Sequence, residues 1–333
     1  MSAEKIINDL RNRKFKPVYW LEGEEEFFID QVIHYAESNI LTESESSFNL
    51  SVFYGRDSSW ADVVNACRRY PMFSEKQVVI LKEAQSMRDI EKLEGYIEKP
   101  LGSTMLFVAY KNKKIDGRTK LAKMLKDKSV LFSSKKIYDK ELPEWTNNLV
   151  RSKGFSINNK ALFLLIDHIG NDLNRLNNEI DKLSINLSGR NNITEDDIET
   201  YVGISKEFNV FELQQAIGAK DLYKAIRIIQ YFAANPKAAP LQLIFPSLYN
   251  YFSKVIMIYS VTSRDEKSVA TAIGVHPFFV KDYIQTAVKF SQHELEKILL
   301  LLYEYNLRNL GINDAGTEDG DLLKEMVVKM IAA

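Results

Sequence analysis

VYWLEGEEEFFIDQVI, residues 18–33, runs from an apolar, β-rich stretch through Gly23 into an amphipathic helix. Strand, glycine turn and helix in that order are the frame of a phosphate-binding loop. A working loop of that kind needs Gly-x-x-x-x-Gly-Lys-Ser/Thr, because backbone amides cradle the phosphates, the lysine meets the β and γ groups and the hydroxyl holds magnesium. Here Gly23 is followed by Glu24, Glu25, Glu26, Phe27 and Phe28, with neither the lysine nor the hydroxyl at the helix start. Three carboxylates repel a triphosphate, and acids are also ordinary residues for the positive end of a helix. From the residues alone the stretch is either a phosphate loop that has lost its grip or a plain strand-turn-helix connection. On both readings ATP hydrolysis is not expected.

Outward from this stretch, up to about residue 140, short β-rich runs alternate with helical ones. Strands are predicted at Pro17 to Leu21, Asn49 to Tyr54, Gln77 to Lys82 and Thr104 to Tyr110, with helices at Phe27 to Asn39, Ser59 to Arg69 and Ile90 to Ile97. Strands separated by helices of this length imply a parallel sheet wrapped by helices. After Pro143 the strand signal disappears. Three helical segments follow to about residue 205, the clearest from Asn171 to Ile185, where Leu173, Leu176, Ile180 and Leu183 share one face behind Asn171 or Asp172 as cap. Thr194 with Glu195, Asp196 and Asp197 marks another helix entry. From about residue 209 the pattern is helical throughout, in Asp221 to Ala234, Leu241 to Val261 and Glu294 to Asn309. The run Leu299 to Leu302 predicts a helix covered on more than one side, by core or by a neighbouring subunit.

At 333 residues the chain suggests two or three domains. With 45% hydrophobic and 27% charged residues it reads as globular. No run approaches the roughly 18 apolar residues of a membrane span, so no membrane partner is expected and the protein is predicted to be cytoplasmic. Cys67 is the single cysteine, and His34, His168, His276 and His293 are scattered, so no metal site is expected. There is no nucleophile elbow, and Cys67 lacks a paired histidine. Acidic pairs such as Asp196 and Asp197 read most simply as a solvated helix start. No catalytic residue is expected.

Several stretches together resemble one family. PVYWLEGEEEFFIDQVI (17–33), GSTMLFVAYKNKKIDGRTKLAKML (102–125), GNDLNRLNNEIDKLSI (170–185), ITEDDIETYVG (193–203) and EFNVFELQQAIGAKDLYKAI (207–226) are similar, in order, to the delta subunit of the bacterial DNA polymerase III clamp loader. The piece at 170–185 is the most specific, and the C-terminal third matches mainly by pattern. The resemblance implies a multidomain α/β plus all-α chain: an AAA+-like parallel α/β domain with a degenerate phosphate loop (1–140), a small helical lid domain (141–208) and a C-terminal helical collar for oligomerisation (209–333). It implies a subunit that binds no cofactor, ATP being held by partner subunits, and that is not catalytic by itself although it belongs to a DNA-directed DNA polymerase holoenzyme. Its partners would be the sliding clamp (beta), whose ring it opens or holds open for loading onto primed DNA, other clamp-loader subunits through the collar, and that DNA in the assembled complex.

The family grips the clamp with an apolar pair just before a strand of the first domain. The matching stretch here is RRYPMFSEKQVVIL (68–81), and the pair is Met72 and Phe73. Pro71 and the polar Ser74, Glu75 and Lys76 place them in a loop. From the residues alone the pair would more simply cap the domain's own core; the resemblance makes it the clamp anchor. From Lys111 to Lys136 ten Lys/Arg stand against two Asp. This segment, with Lys111, Lys113, Lys114, Arg118 and Lys120 foremost, is a solvated face, an interface to an acidic neighbour or a non-specific contact to DNA phosphates. Two rival readings are an active P-loop ATPase of related fold and a nucleic-acid-binding adaptor. The missing lysine and hydroxyl after Gly23 count against the first.

Overall fold

The computed structural model describes residues 2–187, 189–236, 239–263, 265–314 and 316–333. The chain divides into two compact units, Met1–Ile137 and Tyr138–Ala333. In the first, among the described residues, five strands form one parallel sheet: β1 (Val18–Gly23), β2 (Leu50–Tyr54), β3 (Gln77–Lys82), β4 (Thr104–Lys111) and β5 (Val130–Ser134), in the order β2-β3-β4-β1-β5. The register sets Val18 against Leu106 and Trp20 against Val108. Side chains alternate between two buried faces. Val18, Trp20, Val79, Leu81, Leu106 and Val108 pack on one, while Tyr19, Leu21, Val78, Ile80, Met105 and Phe107 pack on the other. That is why these strands read as continuous apolar runs: a parallel sheet is covered on both sides. Tyr19 stacks on Phe107 with ring centroids 4.4 Å apart.

One face is covered by α1 (Ala3–Arg11) and α2 (Glu26–Asn39). The short α3 (Glu43–Asn49) leads into β2. On the other face lie α4 (Trp60–Cys67), α5 (Glu94–Glu98) and α6 (Lys120–Lys128). This is the parallel sheet wrapped by helices that was predicted from sequence. The four expected strands are all present. β5, α1, α3 and α6 were not predicted: β5 has only three apolar residues before Ser133 and Ser134, and α6 carries four lysines among its nine residues, which mask its narrow apolar stripe of Leu121, Ala122 and Leu125.

The second unit begins with α7 (Leu142–Ser152), α8 (Asn159–Ile169), α9 (Leu173–Asn186) and the one-turn α10 (Glu195–Asp197). Asp172 caps α9, accepting from the Arg175 amide at 2.9 Å, and Leu173, Leu176, Ile180 and Leu183 are all buried. Strand structure does not vanish after Pro143: β6 (Ser156–Ile157) pairs in parallel with β7 (Asn192–Ile193), a two-residue ladder too short to leave a periodic signal. The rest is α11 (Val210–Gly218), α12 (Leu222–Ala234), α13 (Leu241–Met257), α14 (Glu266–Ile273), α15 (Val280–Lys289), α16 (Gln292–Asn309) and α17 (Asp319–Ala332). Residues of α11, α12, α13, α16 and α17 share one apolar core. Of the run Leu299 to Leu302, predicted to be covered on more than one side by core or by a neighbouring subunit, the chain's own core takes Leu302 and packs against Leu299 and Leu301. Leu300 is 68% exposed, and Tyr303 and Leu310 stand exposed further along the chain.

Candidate functional site

The connection from α4 to β3, residues 68–76, is held at both feet by buried polar side chains. Gln77 Nε2 donates to the Arg69 carbonyl at 2.5 Å and to Thr104 Oγ1 at 2.7 Å, and Thr104 Oγ1 donates to the Cys67 carbonyl at 2.8 Å. These bonds satisfy carbonyls at the C-terminal end of α4 that have no partner within the helix. Pro71 biases Tyr70 toward extended backbone and stops the helix from continuing. At the tip the chain turns sharply: Phe73 is left-handed, with φ 55°. Met72 is 53% exposed and Phe73 is 93% exposed. The alternative that the pair caps the domain's own core therefore does not hold, since Phe73 touches almost nothing of its own chain.

The tip is also tied to α3. The Met72 amide donates to Asn49 Oδ1 at 2.7 Å, and Asn49 Nδ2 donates to the Met72 carbonyl at 2.8 Å. Two residues further on, Ser74 Oγ donates to Glu45 Oε1 at 2.8 Å. Glu45 also closes a capping box with Thr42 at the start of α3. The Thr42 amide, with the Ser74 and Thr42 hydroxyls, holds the Glu45 carboxyl below the ordinary glutamate range. Asn49, Glu45, Gln77 and Thr104 were not singled out in the sequence. Only the Thr42-x-x-Glu45 spacing carried a local signal, as a capping box.

At the carboxyl end of β1, where an open α/β sheet places its ligand, the space is filled from within. β1 ends at Gly23 and α2 starts at Glu26, leaving only Glu24 and Glu25 between them. A phosphate cradle needs free amides along a longer loop. Here the Gly23 amide donates to the Lys113 carbonyl at 3.1 Å, and the Glu25 amide to Ser134 Oγ at 3.1 Å. Gly23 has φ +128°, and a Cβ there would lie 2.3 Å from the Ser134 carbonyl oxygen. Burial pushes the Glu25 carboxyl above its ordinary value. Glu22 is buried beneath the loop, accepting from Trp20 Nε1 at 3.2 Å, the Ile115 amide at 3.1 Å and Ser133 Oγ at 3.0 Å.

Lys111 belongs to this cluster. Its Nζ lies 3.2 Å from Glu26 and 2.7 Å from Asp30, with the side chain only 17% exposed. Burial opposes the charge, but Asp30 and Glu26 outweigh it and hold the ammonium above the usual lysine value. Lys111 thus departs from the set named for DNA contact. Arg118 pairs with Asp116, and Lys120 with Glu94 at 3.2 Å, both at the surface. Lys113 and Lys114 are exposed on the loop before α6, and Lys123 and Lys126 on α6 itself.

Of the residues set aside in the sequence, Cys67 and His276 pack against neighbours, while His34 and His293 are exposed. Cys67 is fully buried, and burial pushes its thiol up to about 12, which leaves no thiolate for chemistry. His276 accepts from the Phe278 amide at 3.3 Å and lies 5.2 Å from the Phe163 ring. Among the described residues no three His, Cys, Asp or Glu side chains gather to hold a metal ion, and no helix is long and apolar enough to cross a membrane.

Two family models match the chain: DNA polymerase III, delta subunit, over residues 19–135, and DNA polymerase III delta subunit, C-terminal domain, over residues 207–310. The chain belongs to the DNA polymerase III delta-subunit family. Among curated relatives, the DNA polymerase III subunit delta of Bacillus subtilis (strain 168) is 26% identical over 335 residues, spanning 96% of this chain and 94% of that protein. The probable DNA polymerase III subunit delta of Aquifex aeolicus (strain VF5) is 22% identical over 300 residues, spanning 85% of this chain and 83% of that one. Among solved structures, the Bacillus subtilis DNA clamp loader delta protein superposes with a TM-score of 0.58 at 25% identity, covering 99% of this chain and 100% of that one. The loop at 68–76 and the turn after β1 both lie within the first matched region.

Proposed function

We propose that this chain is the clamp-loader subunit that grips the sliding clamp (beta) through Met72 and Phe73 and opens, or holds open, its ring for loading onto primed DNA. The single observation that carries the reading is the loop tip: an apolar pair presented to solvent on a braced turn, in a chain of the delta-subunit family. A large apolar side chain presented on a braced turn gains free energy by entering a partner's pocket. A thioether adapts to such a pocket, and a phenyl ring supplies large rigid area. Binding energy spent preferentially on the open ring shifts the ring's own equilibrium, so the subunit needs no catalytic step.

The filled space at Gly23 supports a subunit without nucleotide, in which the strand-turn-helix frame is kept for assembly beside ATP-binding neighbours. The segments 141–208 and 209–333 would serve as lid and collar. The exposed Leu300, Tyr303 and Leu310 supply apolar surface at α16 and its C-terminal end on which another subunit's collar would pack. Lys113, Lys114 and the exposed face of α6 would meet DNA phosphates without reading sequence. A cytoplasmic setting follows from that role. The test is capture of the purified sliding clamp by this chain, alongside calorimetric titration with ATP and magnesium. Stoichiometric clamp binding without a nucleotide isotherm is expected. A nucleotide complex would return the chain to the P-loop ATPases, and failure to bind any clamp would leave an adaptor of the same shell.

A further inference from the structure

We infer that Asn49 is a positioning residue for the docking tip, holding Met72 and Phe73 in their binding conformation before any partner arrives. This rests on the docking reading above. Asn49 ends α3, is 3% exposed, and directs its side-chain hydrogen bonds to the loop and to its own helix. Oδ1 accepts from the Met72 amide at 2.7 Å, while Nδ2 donates to the Met72 carbonyl at 2.8 Å and to the Glu45 carbonyl at 3.1 Å. The amide orientation is dictated by its partners, since one backbone group of Met72 demands an acceptor and the other a donor. A side chain that pairs both groups of one loop residue does what a neighbouring strand would do, at a place where no strand runs.

The next residue explains why such a clasp is needed. Phe73 has φ 55°, a conformation that bulky L-residues avoid and keep only where the surroundings over-determine it. On one side of it stands the Asn49 clasp on Met72, and on the other the bond from Ser74 to Glu45, 2.8 Å long. Glu45 is itself fixed by the Thr42 amide at 2.9 Å. The left-handed residue is bracketed by two side chains of the same short helix, α3. Ordering the tip during folding, rather than at encounter, removes the entropy cost of fixing its backbone from the binding step.

The test is a cycle in the full chain: Asn49→Ala, Phe73→Ala and the double variant, each measured for clamp affinity, thermal unfolding and amide hydrogen exchange at residues 72–74. Asn49→Ala should speed exchange at Met72 and weaken clamp binding by about tenfold, as expected when roughly one residue's backbone must be ordered on binding. In the Phe73→Ala background the same change should weaken binding by less than about threefold, because positioning has little left to position. A role confined to stability would lower the melting temperature, leave the affinity of folded protein unchanged and overturn the inference, as would effects that multiply fully. Should Asn49→Ala not fold, Asn49→Asp keeps the volume and the acceptor while setting a carboxylate against the Met72 carbonyl, and the same criteria apply to it. If Phe73→Ala weakens binding and the Asn49 variants do not, the positioning role fails and docking stands. Wild-type affinity in Phe73→Ala would remove the docking reading and this inference with it.

Discussion

Truncating the tip, Met72→Ala with Phe73→Ala, separates a docking element from a core element by size and by sign. Full burial of a phenylalanine or methionine side chain is worth about 1.5–3 kcal/mol. Phe73, 93% exposed in the free chain, has nearly all of that to gain, and Met72, 53% exposed, about half. Together they supply about 2–4 kcal/mol to a complex, so the double variant should bind the clamp on the order of 100-fold more weakly. Phe73→Ala alone should account for most of it. The folded chain loses little burial, so its unfolding free energy should stay within about 0.5 kcal/mol of wild type. A buried pair of this size would instead cost roughly 2–5 kcal/mol per side chain. Surface plasmon resonance against immobilised clamp and thermal unfolding on one preparation measure both quantities. Wild-type affinity in a well-folded double variant, or a melting temperature lowered as for core truncation, refutes the reasoning.

Gly23→Ala should destabilise the α/β unit by at least about 1–3 kcal/mol, because its Cβ would stand 2.3 Å from the Ser134 carbonyl oxygen at φ +128°; an unchanged melting temperature would show that β5 yields freely. Lys113→Ala with Lys114→Ala should flatten the salt dependence of DNA binding by the assembled loader, by about 0.9 in log-log slope for each phosphate the protein no longer neutralises. Lys111→Ala should instead lower the melting temperature, by leaving Glu26 and Asp30 without their shared cation; a change in slope and not in stability would reverse that assignment. In the second unit, the Thr317 and Gly316 amides with Arg308 hold Asp314 at about 2, and Lys329, Tyr305 and Arg308 hold Glu325 at about 2. Both lie below their unfolded values, so their stabilisation is complete above about pH 4.5 and is lost as pH falls toward about 2. The melting temperature should drop across that window, and Arg308→Gln should shallow the drop; identical acid limbs would place the effect elsewhere.

Much of the fold was legible because burial on both faces of a parallel sheet leaves continuous apolar runs. Gln77 to Lys82 was delimited as observed, and the three- and four-residue spacing of Leu173, Leu176, Ile180 and Leu183 named a buried face behind its Asp172 cap. The absence of a lysine and a hydroxyl after Gly23 was also legible, since it is a matter of residue identity from Gly23 to Phe28, whatever surrounds them. What packs against this turn was not: Lys113, Ser134 and Lys111 reach Gly23, Glu25 and Glu26 across about a hundred residues of chain, brought there only by β4 and β5 flanking β1. The lysine at 111 reads as one more charge in a basic run, and its partners on α2 make it an internal counter-ion. For Met72 and Phe73 the residues by themselves favoured a core role, because composition carries no sign for inside or outside in so short a turn. Tertiary structure decided it. Asn49, twenty-three positions away, supplies the hydrogen bonds that a strand would have supplied, and thereby lets two apolar side chains stand in water without the turn collapsing onto them.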